Sequence, residues 1–223
     1  MRRRGVILVV SGPSGVGKGT VTRHLAKIRP DVRRSISYTT RKRRTREVDG
    51  QDYHFISPER FEQMRLAGEF MEWAVVHREQ SYGTKREPVL DAVQAGEDIV
   101  LEIDYQGAME VRRERPEAVL VFMAPPSWKE LLRRLRGRDT EGEDEVAKRK
   151  ESAFREIENM ARYDYVVVND KSPGTARTVA AVLEAERHRL ARVDWEELRD
   201  RLLAEAKAPS PPSPADDGPS RRH

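Results

Sequence analysis

The apolar positions of this chain fall into two rhythms. Short unbroken runs at 6–11, 99–103, 119–123 and 165–168 are rich in Val, Ile and Leu, the pattern of strands buried on both faces. Between them apolar residues recur at helical spacing, as at Val21, Leu25 and Ile28 in a helix expected over 20–28 that ends before Pro30. Strands alternating with helices predict an α/β fold with a parallel sheet and crossover helices. Helix starts are marked by Ser127 with Glu130, a capping box, and by Ser57 before Pro58, an N-cap with proline in the first helical position. Thr84 with Glu87 reads as another capping box, for a helix running through Val93.

The rhythm changes between the first helix and the strand at 99. Short alternating segments near Ile36, Tyr53, Phe70 and Tyr82 are separated by Gly and charged turns. They predict a small, mostly antiparallel lobe over 35–84, inserted into a core formed by 1–34 and 85–206. Residues 136–145 are highly charged and almost without apolar positions, so a lid is expected within about 136–149. From Lys207 onward five prolines and three serines predict a disordered tail, 207–223.

Composition narrows the picture. Without cysteine there is no disulfide framework and no thiolate metal site, which suits a reducing, cytoplasmic setting. The longest apolar runs, 6–10 and 118–124, fall far short of the roughly 20 residues that span a bilayer, and the run after Arg2–Arg4 is shorter than a signal-peptide core. No membrane association is expected. The net charge is only +4, from 42 basic and 38 acidic residues, yet eight Lys and Arg crowd into 29–46. Such a cluster can serve nucleic acid, acidic small molecules or merely a solvated loop, and the motif around it must decide.

Gly12-Pro13-Ser14-Gly15-Val16-Gly17-Lys18-Gly19-Thr20 follows a strand and opens a helix, the context of a phosphate-binding loop. Its glycines let successive backbone N–H groups face an anion, and the helix N-terminus adds partial positive charge. Lys18 supplies a flexible charge that can follow β and γ phosphates during transfer. In the common form of this loop a hydroxyl residue follows the lysine, whereas here Gly19 intervenes before Thr20. That arrangement resembles adenylate kinases and implies Mg2+ bound with ATP and held largely through waters.

A second informative stretch runs through Thr39-Thr40-Arg41, Arg44, Glu47, Gly50 and Tyr53. With Phe70-Met71-Glu72-Trp73, Tyr82-Gly83-Thr84, Glu102-Ile103-Asp104-Tyr105-Gln106-Gly107 and Val168-Asn169-Asp170, it resembles the guanylate kinase family from about Gly5 to about Leu190. The resemblance implies a P-loop core with a parallel sheet flanked by helices, an inserted mixed or antiparallel GMP-binding lobe and a helical lid. The implied reaction is phosphoryl transfer from ATP to GMP, with dGMP as a further acceptor.

Residue chemistry agrees. Guanidinium groups grip phosphate oxygens in pairs, so Arg41 and Arg44 suit the GMP phosphate, with Tyr53 and Tyr82 adding phenolic hydrogen bonds. By resemblance Glu72 meets the N1-H and N2 donors of guanine, Ser37 and Thr84 lie near the base, and Asp104 assists; adenine would set a lone pair against Glu72. The family's lid arginines match Arg134, Arg138 and Arg149, which would neutralise the transferring phosphoryl group alongside Lys18 and Arg41. Asp139 and Lys150 depart from the usual residues beside two of them. Asn169 resembles the adenine-side loop, although an Asn-Asp pair is also an ordinary turn.

Three other readings compete. A related kinase with another small phosphate acceptor is disfavoured by Glu72, Ser37 and Thr84. A noncatalytic guanylate-kinase-like module that binds phosphopeptides is disfavoured by the intact loop with Lys18. A nucleic-acid binder working through residues 41–46 would show steep salt dependence; no nucleic-acid partner is expected.

Overall fold

The structure, a computed structural model, describes residues 4–45, 47–76, 80–136 and 143–207. Five parallel strands form the main sheet: β1 (Ile7–Ser11), β2 (Val32–Arg34), β7 (Asp98–Glu102), β8 (Val119–Ala124) and β9 (Tyr165–Val168), in the order β2-β7-β1-β8-β9. The central β1 pairs Leu8 with Val100 and Val119 on its two sides. Its unbroken apolar run is explained by what covers each face. Leu8 and Val10 meet Val21 and Leu25 of α1 (Lys18–Ile28) and Val179 and Leu183 of α7 (Ser172–Arg187). Ile7 and Val9, pointing the other way, meet Val89 and Ala92 of α3 (Arg86–Gln94) and Ala108 and Val111 of α4 (Tyr105–Glu114). With water excluded from both sides, each full leucine burial contributes roughly 1.5–3 kcal/mol.

The chain leaves β1 toward α1 on one face and leaves β7 toward α4 on the other. A crevice therefore opens at the carboxyl ends of β1 and β7, where ligands of open α/β sheets are held.

A second, four-stranded sheet has the order β4-β3-β6-β5, from β3 (Tyr38–Thr39), β4 (His54–Phe55), β5 (Phe70–Val76) and β6 (Gln80–Lys85). Its β5–β6 and β3–β6 pairs are antiparallel, as expected, but β3 and β4 run parallel, with Tyr38 opposite His54. Helix α2 (Pro58–Leu66) is capped by Ser57, whose Oγ accepts from Arg60 N at 3.2 Å, and packs Phe61 and Met64 on Phe70. Ser127 caps α5 (Trp128–Arg136) by accepting from Glu130 N at 3.1 Å.

Three expectations change. α1 begins at Lys18, two residues before the expected start. The capping box at Thr84 is not formed: α3 starts from Lys85 without a side-chain cap, because Thr84 is the last but one residue of β6 and turns its hydroxyl across the sheet to Glu72. The strand β2 was not foreseen, since Val32 is its only apolar residue. The crossover from β8 to β9 continues through α6 (Glu143–Glu158), and α8 (Trp195–Lys207) follows α7 with no buried side chain. Residues 137–142 of the expected lid and 208–223 of the expected tail lie outside the described residues.

Candidate active site

The loop between β1 and α1 turns through positive φ at Gly12, Gly15 and Gly17. At Gly17 (φ 98°) a side chain is excluded twice, by the backbone conformation and by space, since a Cβ would stand 2.6 Å from Asn169 Nδ2. Val16 anchors the loop by its fully buried side chain. Its carbonyl accepts from Asn169 Nδ2 at 2.7 Å and from Arg134 Nη1 at 3.2 Å. Asn169 is buried, and its Oδ1 accepts from Thr175 Oγ1 at 2.9 Å. Both ends of that carboxamide are thus committed to holding the loop rather than offered to a nucleotide.

Lys18, in the first turn of α1, bends its ammonium back to donate to Gly12 O, and to Pro13 O at 3.4 Å, across the mouth of the loop. Gly19 makes room for a carboxylate: a Cβ there would lie 3.1 Å from Glu102 Oε1. Glu102, at the end of β7, accepts from Thr22 Oγ1 at 2.9 Å. An acid therefore stands beside the position where the common form of the loop carries a hydroxyl. Thr20 is exposed.

On the facing side Glu72 of β5 is buried, 4% exposed, directly opposite Thr84 in the sheet. Thr84 Oγ1 donates to Glu72 Oε1 at 2.6 Å. The other oxygen comes up to the first turn of α4, where a Cβ on Gly107 would stand only 2.5 Å from Glu72 Oε2. Asp104 caps the same helix, accepting from Gly107 N at 2.9 Å. Burial pushes the Glu72 carboxyl up to about 7; the Thr84 hydrogen bond opposes the rise and the charges of Asp104 and Glu110 add to it. Ser37, on the chain entering β3, accepts from His54 N through its carbonyl at 2.9 Å.

Of the basic and phenolic residues, Tyr53 and Tyr82 meet edge to face with ring centres 5.8 Å apart. Burial raises the Tyr53 phenol to about 12, so it remains a hydrogen-bond donor throughout the physiological range. Arg41 is nearly buried and reaches Tyr82 Oη from Nε at 3.2 Å. Its fork, expected to face a phosphate, instead holds Glu47 at 2.8 and 2.9 Å. Arg44 carries a side chain that makes no hydrogen bond among the described residues.

The two halves converge. Glu156 of α6 is pushed up chiefly by burial, with the Lys18 ammonium opposing and the Asp104 carboxylate adding, so one carboxyl senses both sides. Tyr53, the residue before β4, likewise senses Glu102 at the end of β7. Arg134 lies against the loop, with Nε on Glu130 at 2.7 Å and Nη1 shared between Val16 O and Asn169 O. Arg149 is buried on α6, while Arg138 lies outside the described residues. Sequence reasoning passed over Glu47, Glu102 and Gly107 as site residues. All three stand inside motifs quoted above, but their work depends on partners that only the fold supplies.

A family model described as guanylate kinase matches residues 3–186. The guanylate kinase of Syntrophotalea carbinolica is 44% identical over 193 residues, covering 86% of this chain and 91% of that protein. That of Chromobacterium violaceum is 46% identical over 187 residues, 84% of this chain and 89% of the relative. Among solved structures, guanylate kinase from Anaplasma phagocytophilum superposes with a TM-score of 0.77 at 32% identity, covering 94% of this chain and 99% of the other.

Proposed function

Since the chain belongs to the guanylate kinase family and is an ATP:GMP phosphotransferase, we propose how its residues divide the reaction. ATP lies with its phosphates along residues 12–20, where backbone N–H groups and the N-terminus of α1 face the anion. Lys18 leaves its loop carbonyls to follow the β and γ phosphates. GMP lies against the smaller sheet, its guanine edge on Glu72 and Thr84, with Asp104 and Ser37 beside the base, and its phosphate on Arg44, Tyr53, Tyr82 and the outer edge of Arg41.

An oxygen of the GMP phosphate attacks the γ phosphorus, and the bond to the bridging β oxygen breaks, leaving GDP and ADP. The attacking oxygen is already anionic, so no general base is required. What the protein supplies is alignment of two polyanions and compensation of charge, from Lys18, Arg134, Arg149 and Arg138. Asn169 serves the ATP side indirectly, by fixing the loop.

Mg2+ fits as a companion of the nucleotide. No group of three or more His, Cys, Asp or Glu that could hold a metal stands among the described residues. Glu102 beside the loop and Thr20 in the first turn of α1, with Asp104 at the start of α4, would hold the ion's water shell, as suits a metal bound mainly by phosphate oxygens. When bound it neutralises charge on the β and γ phosphates. No helix among the described residues is long and apolar enough to cross a membrane, and we place the enzyme's work in the cytoplasm.

The observation that carries the acceptor assignment is the buried Glu72–Thr84 pair: the carboxylate suits the donor edge of guanine, and the Thr84 hydroxyl, which donates to Glu72 Oε1, would turn its proton to O6. A coupled ADP-release assay across GMP, dGMP, AMP, CMP and UMP tests it. GMP is expected to lead with dGMP next, and a faster turnover of any non-guanine acceptor overturns the assignment.

A further inference from the structure

Arg41 raises a problem of supply. A guanidinium has five N–H groups, and four of those of Arg41 are already directed: Nε to Tyr82 Oη at 3.2 Å, Nη1 to Lys42 O at 2.8 Å and to Glu47 Oε2 at 2.9 Å, and Nη2 to Glu47 Oε1 at 2.8 Å. The fork-on-fork pairing with Glu47 uses the face that would otherwise grip two phosphate oxygens. Either Glu47 yields that face when GMP arrives, or it holds Arg41 in place for another purpose.

The surroundings favour holding. Glu47 Oε2 also accepts from Arg44 N at 2.9 Å, and Glu47 N donates to Arg44 O at 3.0 Å, so one residue closes the turn 44–47 from both ends. Withdrawal of its carboxylate would break both bonds to Arg41 and the bond to Arg44 N together. Arg41 is further held over the edge-to-face pair of Tyr53 and Phe55, 5.4 and 5.6 Å from their ring centres. Its charge is largely spent on Glu47, and the guanidinium of Arg44 is the one left without a hydrogen bond among the described residues.

We propose that Glu47 is a positioning residue of the acceptor-phosphate subsite: it locks Arg41 as a neutralised pillar that aims the Tyr82 hydroxyl and one remaining Nη2 N–H, and sets the turn from which Arg44 clamps the phosphate. Two arginines that look equivalent in sequence thereby divide the task, one fixed and one free to close on the dianion. The inference rests on GMP being the molecule held there.

Steady-state kinetics of Glu47→Gln tests it in the full-length enzyme, with saturation of the unaltered enzyme by GMP measured first, since failure there refutes the acceptor assignment rather than the role of Glu47. The isosteric amide keeps one acceptor but loses the charge and the second bond to the fork. The GMP KM is expected to rise about 10- to 100-fold, the range for losing hydrogen bonds to charged groups. The kcat and the ATP KM should stay within about threefold of the unaltered enzyme, the split expected of a residue that acts on the binding of one substrate alone. Combined with Arg41→Lys, the two KM effects should fall well short of multiplying, because each change removes the same contact. An unchanged or lowered GMP KM, effects that multiply, or loss of ATP binding in Glu47→Gln would each overturn the proposal.

Discussion

Glu72 carries two opposed consequences of one buried carboxyl. Its ordinary value of 4.5 is pushed up to about 7 by burial, against the Thr84 hydrogen bond. At about 1.4 kcal/mol per pH unit this amounts to about 3 kcal/mol between the neutral and ionised forms in the folded protein. The folded state binds the proton more tightly than the unfolded chain, so stability is highest below pH 4.5 as far as this group is concerned and falls as pH rises toward 7. Guanine recognition needs the opposite form, because only the carboxylate accepts from both N1-H and N2. The site therefore gives up stability at neutral pH to keep an acceptor in place.

Glu72→Gln separates the two effects. Thermal denaturation of the variant should match the unaltered enzyme near pH 5 and exceed it at pH 8.5, by at most about 3 kcal/mol, or roughly 6–12 °C for a chain of this size. GMP turnover should move the other way, with kcat/KM falling by about three orders of magnitude, as for other sites built to hydrogen-bond one substrate edge. In the unaltered enzyme kcat/KM for GMP should climb about tenfold between pH 6 and 8 around a midpoint near 7. The phosphate of GMP itself titrates near pH 6, so its contribution is read from the variant, whose profile should retain only that part. A flat profile in the unaltered enzyme, or a variant that gains nothing at pH 8.5 over pH 5, would refute the reasoning.

The parts of this molecule that could be read from its sequence are those whose physics is contiguous. The phosphate loop needs a strand, positive-φ glycines, a lysine and a helix in one short stretch, and all stand between Ile7 and Ile28. The parallel sheet showed itself because both faces of β1, β7 and β8 are covered, which forces apolar runs; the edge strand β2, with Arg33 and Arg34 beside Val32, has no such need and stayed hidden. Thr84 shows how a local signal loses to a tertiary one, since the cap it could have offered α3 is given up for a buried acceptor twelve residues back in the chain. Contacts across longer separations leave no local trace: the space that Gly107 leaves for Glu72, or the carboxylate of Glu102 against Gly19 and Thr22. Arg41 and Arg44 belong to one basic run, and only the return of Glu47 distinguishes the one that is locked from the one that is free.

Lys18→Met keeps an unbranched side chain one atom shorter and removes its charge, so kcat should fall by at least about a hundredfold while the melting temperature stays within a few degrees; single-turnover kinetics with saturating ATP would detect a near-normal rate, which would remove Lys18 from the transfer step. Gly107→Ala sets a methyl 2.5 Å from Glu72 Oε2, closer than the two can stand, so the GMP KM should rise severalfold or more with the ATP KM unchanged, and equal effects on both substrates would contradict the contact. Asn169→Ala removes the 2.7 Å donor to Val16 O, which keeps only the longer bond from Arg134, and the acceptor for Thr175 Oγ1, which keeps only the carbonyls of Lys171 and Val168 at 3.3 and 3.4 Å. Each lost hydrogen bond costs about 0.5–1.5 kcal/mol, so the melting temperature should drop, and because the slackened element is the loop itself the ATP KM should rise with the GMP KM little changed. If the carboxamide instead contacted the nucleotide directly, ATP binding would weaken with no loss of thermal stability in the nucleotide-free enzyme, and differential scanning calorimetry without ligand decides between the two.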